Sequence, residues 1–200
     1  SLTMRNSSPS LTPKNQAPSN LINAGAYVLD PKVFEYIPEG RAVSIEREVF
    51  PKLAAEGKLS GFTMDGLWMD IGKPQEYLTA NKVILEKHAQ ALDGSPDFLE
   101  LKEPIALDTG VSVGEKSVIG PYAIIGKNTK IGKNVHITNS VIFSDAEIGD
   151  NTTLNGAIVG EGAKIGSHVK LGKGCIVGDY SKIKDNISIS DITVCPAKEF

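Results

Sequence analysis

Val113-Gly114-Glu115-Lys116-Ser117-Val118-Ile119-Gly120-Pro121-Tyr122-Ala123-Ile124-Ile125-Gly126-Lys127-Asn128-Thr129-Lys130-Ile131-Gly132-Lys133-Asn134-Val135-His136-Ile137 is the stretch that decides the fold. An aliphatic residue returns at every sixth position, and the step continues through Ile148 and Leu154 and again from Ile165 through Leu171, Val177, Ile183 and Ile189. The runs join through Ile142 and Val159, where the step shortens to five. Ile137-Ile142-Ile148-Leu154 is thus echoed by Leu154-Val159-Ile165-Leu171, a 17-residue unit in place of three sixes. Repetition at such a period marks stacked structural units. Gly follows the aliphatic at 114, 120, 126, 132, 149, 160, 166, 172 and 178. Small or branched side chains stand four places after it. Asn, Asp or Gly recur three places after it, the types that tolerate positive φ. A period of six is not the 3.6 of an amphipathic helix, and the Gly and β-branched content opposes one. The pattern predicts a parallel β-helix over 113–193, with three short strands to a triangular coil and the aliphatics stacked inside. About four coils at roughly 4.8 Å each give a prism about 20 Å tall. The two short units predict local irregularities on one side of it.

Outward from the repeat the text changes. Residues 194–200 read as a tail and 97–112 as a connector. Residues 21–96 read as α/β. Leu21 to Leu29 is a β-like run broken by Gly25. Asp30-Pro31 offers an N-cap and first-turn Pro for a short helix through Tyr36. Ser44 is an N-cap for Ile45 to Glu56, which Pro51 must kink or restart and Gly57 ends. Leu59 to Met64 and Leu67 to Ile71 read as strands. Gly72-Lys73-Pro74 opens a helix with Tyr77, Leu78, Ile84, Leu85 and Leu92 on one face. Residues 1–20 hold five Ser, three Pro and three Asn and read as a flexible lead-in, unable to bury enough surface to offset its ordering entropy.

The balance of 21 basic and 24 acidic side chains, net −3, argues against a nucleic-acid or anionic-membrane surface. No apolar run approaches the roughly 18 residues a bilayer requires, so a cytoplasmic protein is expected. Cys175 and Cys195 lack metal or disulfide-framework spacing, and Cys175 occupies a small inward position, where a packed thiol is expected. His136 and His168 fall at outward positions, where a solvated surface imidazole is the plain reading.

Asn23-Ala24-Gly25-Ala26-Tyr27, then Ser44-Ile45-Glu46-Arg47-Glu48-Val49-Phe50-Pro51, then Gly66-Leu67-Trp68-Met69-Asp70-Ile71-Gly72-Lys73-Pro74 with Tyr77-Leu78, follow one another ahead of the repeat. In order and spacing they resemble the sugar-1-phosphate nucleotidylyltransferases, most closely the mannose-1-phosphate guanylyltransferase branch, as does the tail Val194-Cys195-Pro196-Ala197-Lys198-Glu199-Phe200. The resemblance covers residues 13–200. It implies the C-terminal part of a nucleotidyltransferase α/β domain followed by a left-handed parallel β-helix of hexapeptide repeats; periodicity alone does not fix the hand. The implied reaction is attack of a sugar phosphate, mannose 1-phosphate, on the α-phosphate of GTP, with Mg²⁺ as cofactor. It also implies roles: Asp70 as the metal-binding carboxylate, suited to a hard cation, and Asn23 and Gly25 against the sugar, an amide for a hydroxyl and a glycine for close approach. Trp68, Glu46 and Glu48 read as packing and surface residues.

The chain departs from that family in three elements. A Gly-x-Gly-x-Arg-Leu loop to wrap the triphosphate, a second metal-binding Asp and a Glu-Lys-Pro element do not occur in these 200 residues; Leu11-Thr12-Pro13-Lys14 stands at the last position. The isolated chain is therefore expected to be inactive, and its uncovered apolar surface to seek a partner, a second copy or a separate N-terminal catalytic half. Two other readings stay open: a non-catalytic oligomerisation or regulatory subunit, and a hexapeptide acyltransferase using His136 or His168 as base.

Overall fold

The computed structural model describes residues 2–5, 21–88 and 98–200. It divides into two compact units, residues 1–69 and 70–200, taken in turn.

The first unit holds a three-stranded sheet. Strand β1 (Leu2–Arg5) lies between β2 (Leu21–Asn23), antiparallel with Thr3 opposite Asn23, and β3 (Phe62–Met64), parallel with Thr3 opposite Thr63. Residues 2–5 thus depart from the expected lead-in. A strand is defined by the neighbours that take its backbone hydrogen bonds, and local composition does not reveal them. The rest of that segment, 6–20, lies outside the described residues. The expected strands over 21–29 and 59–64 shrink to three residues each, and Leu67–Ile71 forms none, with Leu67 and Ile71 exposed. β-like composition without a ladder partner leaves the chain irregular. The helical readings fare better. Asp30 caps the 3₁₀ turn Pro31–Tyr36, its Oδ1 accepting from Lys32 N at 2.9 Å. Ser44 caps the turn beyond it, accepting from Arg47 N at 3.3 Å. Pro51 does restart the helix: Ile45–Val49 is wound as a π-helix, and α1 (Phe50–Ala55) begins afresh at the proline. Val33, Val49, Phe50 and Leu53 form the small core of this unit.

The second unit is the β-helix with one helix beside it. Its strands stack into three parallel sheets of six, six and five members, the faces of a triangular prism. The first face is Leu99–Leu101, Ser117–Ile119, His136–Thr138, Thr153–Asn155, Lys170–Leu171 and Ser188–Ile189. The second is Ile105–Leu107, Ala123–Ile125, Ser140–Ile142, Ile158–Val159, Ile176–Val177 and Thr193–Val194. The third runs from Ser112–Val113 to Lys182–Ile183. Ile119, Ile137, Leu154 and Leu171 stack on one inner face and Ile125, Ile142, Val159 and Val177 on the next, all buried in one core. Buried hydroxyls in the small position bridge coils. Thr152 Oγ1 donates to Gly166 O at 2.9 Å and accepts from Val169 N at 3.2 Å, and Ser117 does the same with Gly132 O and Val135 N. Asn128, Asn134, Asn151 and Asn186 all take positive φ, as their position in the six predicts.

Three boundaries differ from the sequence reading. Residues 99–112 are not a connector but the first coil: Leu101 and Leu107 continue the six-residue step, without the Gly that advertises later ones. The tail is not free either. Thr193–Val194 ends the second face, and Lys182 bridges Glu199 on the third, so about five coils form. Finally, α2 (Pro74–His88) belongs with the β-helix rather than with the α/β unit. Its Leu85 is buried, Tyr122 of the β-helix donates to Glu86 Oε1 at 2.9 Å, and Lys82 Nζ stands 3.9 Å from the Tyr122 ring centroid. Ile84, expected on the packed face, is exposed. Leu92 lies outside the described residues.

The short steps fall where expected. Strand partners are 18 residues apart where three sixes intervene, as for Ile105 and Ala123, and 17 apart for Ala123 and Ser140 and for Val141 and Ile158. The missing residue is taken out of one corner, between the first and second faces, at Asn139 and Gly156.

Candidate functional site

Asn23 ends β2, and its side chain closes a local turn by accepting from Gly25 N at 2.9 Å, with Gly25 at φ +73°. The amide nitrogen then donates to Glu46 Oε1 at 3.0 Å and to the Tyr27 hydroxyl at 2.6 Å, while that hydroxyl donates to the same carboxylate oxygen at 2.5 Å. Tyr27 is held edge-on against Phe50, ring centroids 4.9 Å apart. Glu46 is delivered by the first turn after the Ser44 cap. Asn23, Gly25, Tyr27 and Glu46 thus form one polar cluster at the surface of the first unit. Accepting the phenolic hydrogen bond, Glu46 holds the Tyr27 pKa above its ordinary 10.0. Burial and the Glu46 charge push the same way, against the Asn23 amide.

Glu46 is the residue that sequence reasoning missed. It is not merely a surface carboxylate, since it fixes which way the Asn23 amide faces. Its signal lay in the text: Ser44-Ile45-Glu46 places a carboxylate in the first turn after an N-cap, where the helix dipole favours it. Glu48 pairs with Arg41 at 2.6 Å on the surface, as expected of it.

Asp70 stands in the second unit, exposed, four residues before α2. One oxygen accepts from Gly72 N at 3.1 Å, and Glu76 caps the entry to the helix by accepting from Lys73 N at 2.9 Å. An exposed carboxylate with a second oxygen turned to no protein donor among the described residues suits one ligand position on a hard cation that keeps its waters. Among the described residues there is no group of three or more His, Cys, Asp and Glu arranged to hold a metal. Cys175 is a packed thiol, buried and donating to Ile189 O at 3.3 Å. His136 lies exposed on the first face, and His168 takes positive φ at a corner. No helix among the described residues is long and apolar enough to cross a membrane.

Comparison with known proteins agrees with this layout. The profile described as "GMPPB C-terminal domain" matches residues 101–200, and the one described as "Nucleotidyl transferase" matches residues 12–87. A probable mannose-1-phosphate guanylyltransferase 3 of Arabidopsis thaliana is 42% identical over 107 residues, 50% of this chain and 29% of its own length. Mannose-1-phosphate guanyltransferase beta-A of Xenopus laevis is 41% identical over 85 residues, 40% of this chain and 23% of its own length. The chain therefore spans less than a third of the curated relatives it matches. Among solved structures, a point mutant of perosamine N-acetyltransferase from Caulobacter crescentus, in complex with CoA and GDP-perosamine, aligns with a TM-score of 0.51. The alignment covers 72% of this chain and 70% of that one at 18% identity, a likeness of fold alone. With residues 101–200, half of the chain, matched by its profile, the chain belongs to the family described as "GMPPB C-terminal domain", and its segment 12–87 is similar to nucleotidyl transferases.

Proposed function

We propose that this chain is the C-terminal part of a cytoplasmic sugar-1-phosphate nucleotidylyltransferase that joins mannose 1-phosphate to GTP. A phosphate oxygen of the sugar phosphate attacks the α-phosphorus of GTP, the α–β anhydride bond breaks, and pyrophosphate leaves with its electron pair. The observation that carries the reading is the order of two matched segments in one chain, nucleotidyl transferase over 12–87 and GMPPB C-terminal domain over 101–200. Asn23 and Gly25 would face the sugar. The amide is already oriented by Glu46, so it loses little freedom on meeting a hydroxyl. Asp70 would give one oxygen to Mg²⁺, which when bound lowers the charge repulsion between the crowded phosphates. The surface of the first unit fits a role inside a larger α/β domain, because Val28 is 96%, Phe34 70% and Phe62 65% exposed. A nucleotide-binding segment or a second copy of the chain is the proposed cover.

The test is an assay for GDP-mannose. The 200-residue chain, given mannose 1-phosphate, GTP and Mg²⁺, is expected to form none. A polypeptide that also carries a Gly-rich nucleotide loop is expected to be active, and Asp70→Asn to lower its kcat by about 10²-fold or more, the scale of losing an electrostatic stabiliser. A longer polypeptide that makes no GDP-mannose, or an unaffected Asp70→Asn enzyme, would sink the proposed reaction, and turnover by the 200-residue chain would sink its reading as a part without a nucleotide pocket.

A further inference from the structure

Between α2 and the corner joining the first and second faces lies a cavity of about 420 Å³, within the second unit and without Asp70 in its lining. We infer that this cavity is a binding site for a hexose phosphate, separate from the Asn23 cluster. Its size falls in the range of small-molecule sites, roughly 300–1,000 Å³. The choice of a sugar ester rests on the proposed nucleotidylyltransferase reading; the existence and polarity of the site do not.

The irregular repeats make the site. Where the step shortens to five, the corner loses a residue in two successive coils, at Asn139 and Gly156, both of which line the cavity at positive φ. A prism with regular eighteen-residue coils carries a continuous corner ridge, and here the ridge is withdrawn at two levels while α2 stands beside it. Gly156 lets the side chain above it lie down. A Cβ at 156 would stand 3.3 to 3.5 Å from Cα, Cβ and Cγ of Lys173, so the lysine stem runs across the glycine.

The lining has the chemistry of a phosphorylated sugar. Lys173 and Lys82 reach the cavity from its two sides, and neither has a carboxylate within ion-pair distance among the described residues. Lys82 rests on the Tyr122 ring, and the nearby Glu86 is engaged by the Tyr122 hydroxyl. Two ammonium groups free of acidic partners suit a phosphate dianion. Asn139 and Asn155 meet edge to edge at 3.4 Å, the one donating to the other, which leaves one amide oxygen and one amide nitrogen for vicinal hydroxyls. Leu78, Ile124 and Val141 supply an apolar floor for the C–H face of a pyranose.

The experiment is calorimetric titration of the 200-residue chain with mannose 1-phosphate, inorganic phosphate and GDP-mannose. Mannose 1-phosphate is expected to bind, and inorganic phosphate at least tenfold more weakly. Lys173→Ala and Asn155→Ala, both at exposed residues, are each expected to weaken mannose 1-phosphate at least tenfold with unchanged circular dichroism. Lys164→Ala on the third face is expected to leave it unaltered. Absence of binding at millimolar ligand overturns the inference. So does equal affinity for inorganic phosphate, or a preference for GDP-mannose, because either contradicts the stated ligand class. Binding that survives Lys173→Ala and is lost in Asn23→Ala puts the sugar phosphate in the first unit, which overturns this site and leaves the proposed function standing. Binding that follows Lys173 and Asn155, together with an enzyme that makes no GDP-mannose, overturns only the proposed function.

Discussion

At Gly149 an added Cβ would stand 2.6 Å from the carbonyl carbon of Gly166 and from the amide nitrogen of Ser167 in the next coil. Gly114 meets Gly132 in the same way. The glycine after the aliphatic is therefore a spacing requirement between stacked backbones. Gly149→Ala is expected to destabilise by about 2 kcal/mol, the scale of forced overpacking, and Gly66→Ala, with nothing within 4 Å of its added Cβ, by less than about 0.5 kcal/mol; urea midpoints of the two variants check this. In the other unit, the phenol of Tyr27 titrates above its ordinary 10.0 chiefly because Glu46 accepts its proton's hydrogen bond. That bond stabilises the folded chain in full below pH 10 and is lost as pH rises through the raised value. Glu46→Gln is expected to move the Tyr27 titration back toward 10, followed by tyrosinate absorbance against a Tyr27→Phe reference. An unmoved titration would mean that Glu46 does not orient the cluster. Asn23 and Gly25 are legible as motif letters. Glu46 is legible as a first-turn carboxylate after the Ser44 cap, but its grip on Asn23, 23 positions away, is not.

Elements differ in how far their own residues specify them. The strands of the β-helix are two or three residues long and would not survive alone; each exists because the coils on either side complete its ladder. Their signal is strong nonetheless, since every coil repeats the same requirement for an aliphatic inside. Leu154, with no exposed surface and a coil on either side, is expected to cost about 3 to 4 kcal/mol as Leu154→Ala. Thr152→Val keeps the shape but strips the Val169 amide of its side-chain acceptor, at an expected cost of about 1 to 2 kcal/mol. Chemical denaturation of both variants tests the order, and a Thr152→Val chain as stable as the parent would show the hydroxyl bridge to be dispensable. The helical turns at Asp30 and Ser44 are readable because caps and prolines act within a few residues. Leu67–Ile71 reads as a strand and forms none, because its composition says nothing of a partner.

Across the whole molecule two cores stand apart in composition. One is a long stack of Ile, Leu and Val in the β-helix, the other a small cluster around Val49 and Phe50. Calorimetry is expected to resolve two transitions, with the smaller, earlier one removed by Phe50→Ala and the larger one retained; a single transition that shifts as a whole would show the units to be one cooperative body. Period six, written in Val113 to Ile189, determined the β-helix by itself, because each coil must bury the same side chains and turn the same corners. The ordered motifs around Asn23, Glu46 and Asp70 made the likeness to nucleotidyl transferases, matched over 12–87, legible for the same kind of reason, since each is a local string. Tertiary structure alone decided the rest: that Leu99 to Leu107 is already a coil, that α2 rests on the β-helix, that Glu46 grips Asn23, and that two five-residue steps open a cavity at one corner. Each of these depends on which distant residues become neighbours, and neighbourhood is created only when the coils stack.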